Sequence, residues 1–263
     1  SNQNAPRGGR RGPERAAERA LRYVDQGFTA LKFDPAGAYT IFDGGMPTGS
    51  ELERSEAFMR TLREAVGGGV DLLFGTHGQF TPAGAIRLAQ RIAPYDPLWL
   101  EEPVPPENAA EMAVVARATS IPVATGERLC TKYEFARVLD EGAAAILQLN
   151  LGRVGGLLEA KKIAALAEVK YAQIAPHLYC GPIVGAANVQ LATCSPNFLI
   201  LEGIEMWDGF HAALLDKPVN WQNGYVIPST EPGLGVTLNE AVAREHPYQG
   251  DELHLEMLTK PVR

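Results

Sequence analysis

Two apolar runs in this chain end in acidic residues that could hold a cation. Leu98–Leu100 leads into Glu101 and Glu102, and Val123–Thr125 leads through a glycine to Glu127. Adjacent acids at a strand end are costly if they are buried without a partner, so one of the pair must meet a cation. Carboxylates that converge from neighbouring strands suit Mg²⁺, which makes Glu101 and Glu127 the expected ligands. The alternative is that each glutamate forms a salt bridge with a nearby Lys or Arg.

Polar residues recur at the ends of the other apolar runs. The residues that follow successive runs are Gly75, Glu101, Glu127, Asn150, His177 and Glu202. They lie 26, 26, 23, 27 and 25 positions apart, and each interval is the length of one strand–helix unit. Such residues at every strand end are typical of a (β/α) barrel, whereas a doubly wound sheet gathers its site at one switch point. The spacing favours the barrel.

Helices that alternate with short strands must position these residues. Amphipathic patterns predict helices over 14–26, 51–66, 83–93, 107–118, 132–141, 155–169 and 182–192. Continuous apolar runs predict parallel strands, buried on both faces, over 28–33, 71–74, 98–100, 121–124, 145–149, 172–175 and 198–201. We therefore expect an α/β chain with a (β/α)7β-type TIM barrel, in which the first of eight strands is absent or replaced by the N-terminal residues.

The two ends of the chain have a different character. Residues 1–13 are rich in Gly, Pro and Arg and are expected to form a flexible basic tail. The barrel domain is expected over 14–263, with a C-terminal extension from about residue 205. The extension has loops and two extended pieces, at 224–227 and 235–238, but no further strand–helix unit.

Composition excludes several classes of partner. With 46% hydrophobic residues, the 263-residue chain can bury one large core. A net charge of −7, with no basic stripe outside the N-terminal residues, argues against nucleic acid as a partner. Cys130, Cys180 and Cys194 form no CxxC pair, which argues against a disulfide framework. No long apolar run or signal-peptide core occurs, so we expect a cytoplasmic protein without a membrane partner.

Four longer motifs carry a family resemblance. In chain order they are LEEPVPPE, IPVATGERL, LGRVGGLLEAKKIAALAE and IAPHLYCGPI. They resemble the mandelate racemase subgroup of the enolase superfamily, and within it look most like sugar-acid dehydratases of the galactonate type. The resemblance covers roughly residues 14–245. Members of that family carry an N-terminal α+β capping domain, and residues 1–13 are too short to supply it, so we expect this chain to lack that domain.

The resemblance implies a metal held by three strand-end acids. The metal binds the substrate carboxylate and stabilises the enediolate formed when the α-proton is removed. The matching positions are Gly75, Glu101 and Glu127, so two of the three acids are present. Asn150 or His77 could add a ligand, although neither replaces a carboxylate for Mg²⁺. Mg²⁺ is the expected cofactor.

The resemblance also implies roles for the remaining strand-end residues. His177 matches the general base, and Asn150 stands where its usual partner is Asp. An amide can orient the ring but cannot stabilise an imidazolium by charge, so we expect a weaker base. His77 matches the histidine that protonates the departing hydroxyl. Glu202 matches an acid that hydrogen-bonds a substrate or enediolate oxygen.

Lys32 and Asp34 match the KxK motif of the second barrel strand. Racemases use the second lysine as the base on the opposite face, and Asp34 at that position argues against a two-base racemase. One base and one acid suit the elimination of water. The expected function is therefore a lyase, a metal-dependent dehydratase that converts an aldonate or aldarate into a 2-keto-3-deoxy acid. Its expected partners are a small-molecule sugar acid and further copies of the chain in a homo-oligomer.

Two alternatives stay open. A cycloisomerase of the same superfamily would share the first half-reaction and then open or close a sugar-acid ring. A barrel that only binds a ligand is the third reading, because Gly75 and Asn150 replace two expected acids.

Overall fold

A computed structural model describes residues 12–37, 44–203 and 208–247 of the chain, and most of them alternate between strand and helix. The strands of the main sheet are β1 (Ala30–Phe33), β2 (Asp71–Phe74), β3 (Trp99–Glu101), β4 (Val123–Thr125), β5 (Ile146–Leu147) and β6 (Gln173–Ile174). The helices around it are α1 (Pro13–Asp25), α2 (Gly49–Val66), α3 (Pro82–Ile92), α4 (Ala109–Arg117), α5 (Lys132–Asp140), α6 (Leu151–Val154), α7 (Leu157–Val169) and α8 (Pro182–Thr193). A 3₁₀ turn, Ala93–Tyr95, follows α3.

The six strands form one parallel sheet in sequential order. Phe33 pairs with Phe74, and Phe74 in turn pairs with Leu100. Parallel strands that follow each other in this way bring all their carboxyl ends to one edge of the sheet. The predicted barrel-type α/β fold is confirmed in this curled sheet, and the predicted site residues come to that edge.

Both faces of the sheet are buried. Leu72, Phe74 and Leu147 belong to the large core between the sheet and the helices. Leu73 and Ile146, which alternate with them along the strands, belong to a smaller cluster on the other face. Burial on both faces explains why the strands are continuous apolar runs in the sequence.

Local signals start two of the helices. Thr48 caps α2 and Thr131 caps α5, and each forms a capping box with a glutamate three residues later, Glu51 and Glu134. In a capping box, the threonine side chain and the glutamate side chain satisfy backbone N–H groups that have no partner inside the helix. These caps fix where α2 and α5 begin.

The predicted strand over 198–201 is wrong as a full strand. Its pairing consists of a bridge between Ile174 and Phe198, with backbone hydrogen bonds from Ile174 N to Asn197 O and from Leu199 N to Ile174 O, both 2.9 Å. The Asn197 side chain donates to Ala164 O and to Ala172 O, each at 3.0 Å. These contacts hold the segment beside β6 without extending the ladder along 200–201.

Two further boundaries differ from the prediction. The helix predicted over 155–169 begins two residues later, at Leu157, because Gly155 (φ 97°) and Gly156 (φ 82°) have positive φ angles and separate α7 from the short helix α6. The extended piece predicted at 235–238 is only a bridge between Leu215 and Leu238.

The C-terminal extension has some regular structure of its own. Its elements are α9 (Gly209–Ala213), β7 (Trp221–Gln222), β8 (Tyr225–Val226) and α10 (Glu240–Glu245), with β7 and β8 paired as an antiparallel hairpin. Most of the predicted tail, residues 1–11, lies outside the described residues. Among the described helices, none is both long and apolar enough to cross a membrane.

Candidate active site

Lys32 lies at the centre of the site. Its ammonium is 2.6 Å from Glu101 Oε1 and 2.9 Å from Glu202 Oε1. Lys32 comes from β1, Glu101 from the end of β3, and Glu202 from the segment that bridges to β6. One cation therefore joins two acids from distant strands across the carboxyl edge of the sheet.

The local charges strongly favour a cation at this point. Burial opposes the charge of Lys32, but Glu101 and Glu202 outweigh it and raise the pKa of the ammonium above its usual range. Burial raises the pKa of Glu101, whose side chain is 1% exposed, although Lys32 opposes the shift. Burial would also raise the pKa of Glu202, but Lys32 prevails and lowers it. Trp99 Nε1 donates to the second oxygen of Glu101 at 3.2 Å.

Asp34 and His77 form a second pair, between the ends of β1 and β2. His77 Nδ1 lies 2.9 Å from Asp34 Oδ2. The contact is an ion pair when the His77 ring is protonated. Burial lowers the pKa of His77, but Asp34 outweighs burial and the net shift is upward.

His177 has a different kind of partner. Its Nδ1 lies 2.9 Å from Asn150 Nδ2, and its Nε2 lies 3.2 Å from Glu127 Oε2. The amide oxygen of Asn150 accepts a hydrogen bond from Gly152 N at 2.8 Å, as the cap of α6. Burial lowers the pKa of His177.

Glu202 contacts a second strand end as well. Its Oε2 accepts a hydrogen bond from Leu178 N at 2.6 Å, next to His177. The structure therefore brings all eight side chains predicted for the site into contact pairs at one edge: Lys32, Asp34, His77, Glu101, Glu127, Asn150, His177 and Glu202.

Glu102 and Arg128 form a structural pair beside the site. Glu102 is fully buried, with a left-handed backbone (φ 40°), and accepts from Arg128 Nε at 3.0 Å. Arg128 therefore lies against the Glu102 carboxyl group beside the site. The hydrogen bond from Trp99 to Glu101 was not predicted, because nothing in the sequence marks the side chain that an indole N–H will reach.

The residues at the strand ends can be compared with the needs of a divalent cation. Gly75 supplies no side-chain oxygen, and a Cβ built there would lie 3.7 Å from Lys32 Cε. Among the residues that the structure describes, no three His, Cys, Asp or Glu side chains stand together as metal ligands. The acidic surroundings of Lys32 nevertheless attract positive charge, and the carboxylates of Glu101 and Glu127 are ligands that Mg²⁺ prefers. The residues therefore fit a cation held by two carboxylates, not by three.

Acids, a lysine and two histidines lie together at the carboxyl ends of parallel strands, which is where α/β barrels place their functional sites. The chain belongs to the Enolase C-terminal domain-like family, whose model matches residues 15–242.

Two curated relatives that match most of this chain are named as sugar-acid dehydratases. The chain is 35% identical over 245 residues to the D-xylonate dehydratase of Haloferax volcanii, an alignment covering 92% of this chain and 60% of that protein. It is 34% identical over 247 residues to the D-gluconate dehydratase of Thermoproteus tenax, covering 94% of this chain and 49% of that protein. The chain thus spans between half and three fifths of the length of these relatives.

Solved structures agree with the family. A mandelate racemase/muconate lactonizing enzyme structure from Labrenzia alexandrii DFL-11 matches with a TM-score of 0.91 and 70% identity, covering 92% of this chain and 63% of that one. A second, from Burkholderia SAR-1, matches with a TM-score of 0.92 and 60% identity, covering 95% and 62%. The resemblance predicted from the sequence motifs is confirmed.

Proposed function

We propose that this chain is the barrel part of a dehydratase that removes water from an aldonate or aldarate to give a 2-keto-3-deoxy acid. The observation that carries the proposal is the cluster at the carboxyl edge, in which the Lys32 ammonium lies between Glu101 and Glu202, and His77 and His177 each lie against an acid of the same edge. The dehydratase names of relatives at about 35% identity support the same class.

The chemistry begins with the proton next to the substrate carboxylate. Removing that proton places negative charge on the carboxylate oxygens, and a buried cation stabilises the enediolate by charge. Lys32 supplies such a charge, and Glu202 can accept a hydrogen bond from a substrate hydroxyl. Two imidazoles within one site can move the protons that elimination requires. The resemblance assigns removal of the α-proton to His177 and protonation of the leaving 3-hydroxyl to His77.

Mg²⁺ is part of the proposal. Glu101 and Glu127 would hold it, in competition with Lys32 and His177 for the carboxylate oxygens. When bound, the ion would add positive charge at the substrate carboxylate, which matters because acids outnumber the lysine in this site. Because the site carries more acids than cations, an anionic substrate would be repelled unless a metal ion added positive charge.

A screen of aldonic and aldaric acids tests the proposal. The purified protein is incubated with each acid, with Mg²⁺ and separately with EDTA, and 2-keto acid is measured as its semicarbazone. We expect a keto acid from at least one compound, with activity reduced by EDTA. Glu127→Gln should lower the rate by about 100-fold.

Glu159→Gln is the matched control. Glu159 makes the same kind of contact, a salt bridge to Lys132 at 2.9 Å, but lies outside the site. It should leave the rate unchanged. If folded protein yields no keto acid from any compound, the dehydratase proposal is wrong. A lactone formed without a keto acid would support the cycloisomerase.

A further inference from the structure

The two histidines of the site differ in the partner at Nδ1. His77 faces the carboxylate of Asp34, which can only accept a hydrogen bond when ionised. His177 faces the amide group of Asn150, which can donate or accept, depending on its orientation. The orientation of that amide therefore decides which ring nitrogen of His177 carries the proton.

Gly152 fixes the Asn150 amide. The Gly152 N–H donates to Asn150 Oδ1 at 2.8 Å, so the NH₂ group is the part that faces His177. The opposite orientation would set the NH₂ group against the Gly152 N–H, two donors facing each other. The NH₂ group donates to His177 Nδ1, which must then carry the lone pair. The ring proton lies on Nε2, 3.2 Å from Glu127 Oε2.

This tautomer is unsuited to a base. A neutral ring with its proton on Nε2 donates a hydrogen bond there and has no lone pair at that nitrogen for an incoming proton, because its lone pair lies on Nδ1, against Asn150. Asn150 thus does more than weaken the base: it holds His177 in the form that cannot accept a proton at Nε2. The ring remains suited to donating a hydrogen bond to a substrate oxygen.

His77 has the opposite arrangement. The Asp34 carboxylate at 2.9 Å from Nδ1 favours a proton on Nδ1, which leaves the lone pair on Nε2. The charges of Glu127 and Glu101 also favour the protonated form of the ring, while Arg128 donates to the backbone oxygen of His77 at 3.2 Å. A carboxylate that orients and stabilises an imidazolium is the arrangement that makes histidine an effective general base.

We propose that His77, positioned by Asp34, is the base of this site, and that His177, positioned by Asn150, is a neutral hydrogen-bond donor. This rests on the proposed dehydration and reverses the roles that the resemblance implies. The C2–H bond breaks, its proton goes to His77 Nε2, and its electron pair forms the enediolate. The enediolate then forms the C2–C3 double bond and expels the 3-hydroxyl. His77 returns the proton to that hydroxyl, which leaves as water, and the enol converts to the 2-keto acid.

Histidine ¹⁵N spectra test the tautomers directly in the whole chain. Protonated and unprotonated ring nitrogens have well-separated shifts, and His77→Asn and His177→Asn variants assign the signals. We expect His177 with a proton on Nε2 only, and its neutral ring should switch to Nδ1–H in Asn150→Asp. A proton on Nδ1 of His177 in the unchanged protein would overturn the proposal, whether or not a substrate is known.

Reaction rates test the roles of the two histidines, because the two assignments predict different effects for Asp34→Asn and Asn150→Asp. With the acid that the screen identifies, Asp34→Asn should lower kcat/KM by about 100-fold and move its acidic limb to lower pH, because the pKa of His77 falls. Asn150→Asp should lower the rate about 10-fold, because the Nε2–H donor is lost. If His177 is the base instead, Asn150→Asp raises the rate and Asp34→Asn does not move the limb. If the tautomers are as expected but the protein dehydrates no acid in the screen, the proposed dehydration and the role of His77 as its base are refuted. Only the assignment of the ring protons then remains.

Discussion

Lys32 compensates a glutamate that would otherwise be buried without a partner charge. In Lys32→Met, Glu101 keeps its burial but loses the ammonium at 2.6 Å. Breaking a buried ion pair on one side is costly, so we expect the free energy of unfolding in EDTA buffer to fall by about 3 kcal/mol. Urea denaturation followed by circular dichroism measures it.

The double variant Lys32→Met/Glu101→Gln is the control for this effect. It removes the unpaired charge as well, so it should recover part of the lost stability. The loss in the single variant should also shrink at acidic pH, where Glu101 takes up a proton. Equal losses in the single and double variants would show that the ion pair is not the cause.

Glu102 predicts a dependence of stability on pH. Burial raises its pKa to about 8 from 4.5, although Arg128 opposes the shift. The folded protein then holds a proton that the unfolded chain releases, so this stabilising contribution is complete below pH 4.5 and is lost as pH rises through 8. The free energy of unfolding should fall across that window by about 1 kcal/mol per pH unit relative to Glu102→Gln. Parallel pH curves for the two proteins would contradict this.

The residues of the site could be predicted, but their partners could not. Glu101 and His177 follow apolar runs at regular spacing, and that is a local signal. Lys32 lies within a run and was predicted from the family resemblance. The pairing of Asp34 with His77 depends on the register of β1 against β2, which the spacing does not determine. The protonation of His177 depends on a backbone N–H, that of Gly152, which no side-chain pattern reveals.

At the scale of elements, the start of a helix could be predicted from neighbouring residues, whereas the pairing of a strand with distant parts of the chain could not. The start of α5 is marked by Thr131 with Glu134 three residues later. The segment around Phe198 is held by Asn197, whose side chain donates to Ala164 O and Ala172 O, two distant parts of the chain that the apolar pattern does not reveal. An apolar run therefore predicts a buried segment more securely than it predicts a hydrogen-bonded strand.

The Thr131 cap gives a prediction for one element. Thr131→Ala removes the acceptor for Glu134 N at the start of α5, so we expect a loss of about 1 kcal/mol in the free energy of unfolding. Thr193→Ala is the control, because that hydroxyl donates to Val189 O at the other end of a helix and caps no N–H group. Its effect should stay within about 0.5 kcal/mol. Chemical denaturation of both variants compares them, and equal losses would refute the role of the cap.

At the scale of the whole molecule, the C-terminal extension packs on the beginning of the described chain. Phe28, just before β1, and Trp221 of β7 have ring centroids 5.6 Å apart. The backbones of Gly27 and Gly224 meet beside them, and a Cβ on Gly224 would lie 2.1 Å from Gly27 O. The hairpin of β7 and β8 thus packs against the residues that lead into β1. The homo-oligomer and the cytoplasmic location stay predictions.

Gly224→Ala tests this closure. The new methyl group would collide with backbone, and φ at this position is +80°, so we expect a loss of more than about 2 kcal/mol in the free energy of unfolding. Gly142→Ala is the matched control, since Gly142 has φ +64° and nothing within 4 Å of its Cβ position. It should cost only about 1 kcal/mol. Thermal and urea unfolding measure both, and similar losses would mean that the contact with Gly27 contributes nothing.

The amide of Asn150 also has a consequence for the history of the gene. Codons for Asn and Asp differ by a single base at the first position. One transition would therefore exchange the donor at His177 Nδ1 for an acceptor and move the proton from one side of the ring to the other. The backbone and the cap of α6 would be kept, because Asp accepts from Gly152 N as Asn does. On the proposal above, one mutational step would thus change the hydrogen-bonding role of His177 while the fold is kept.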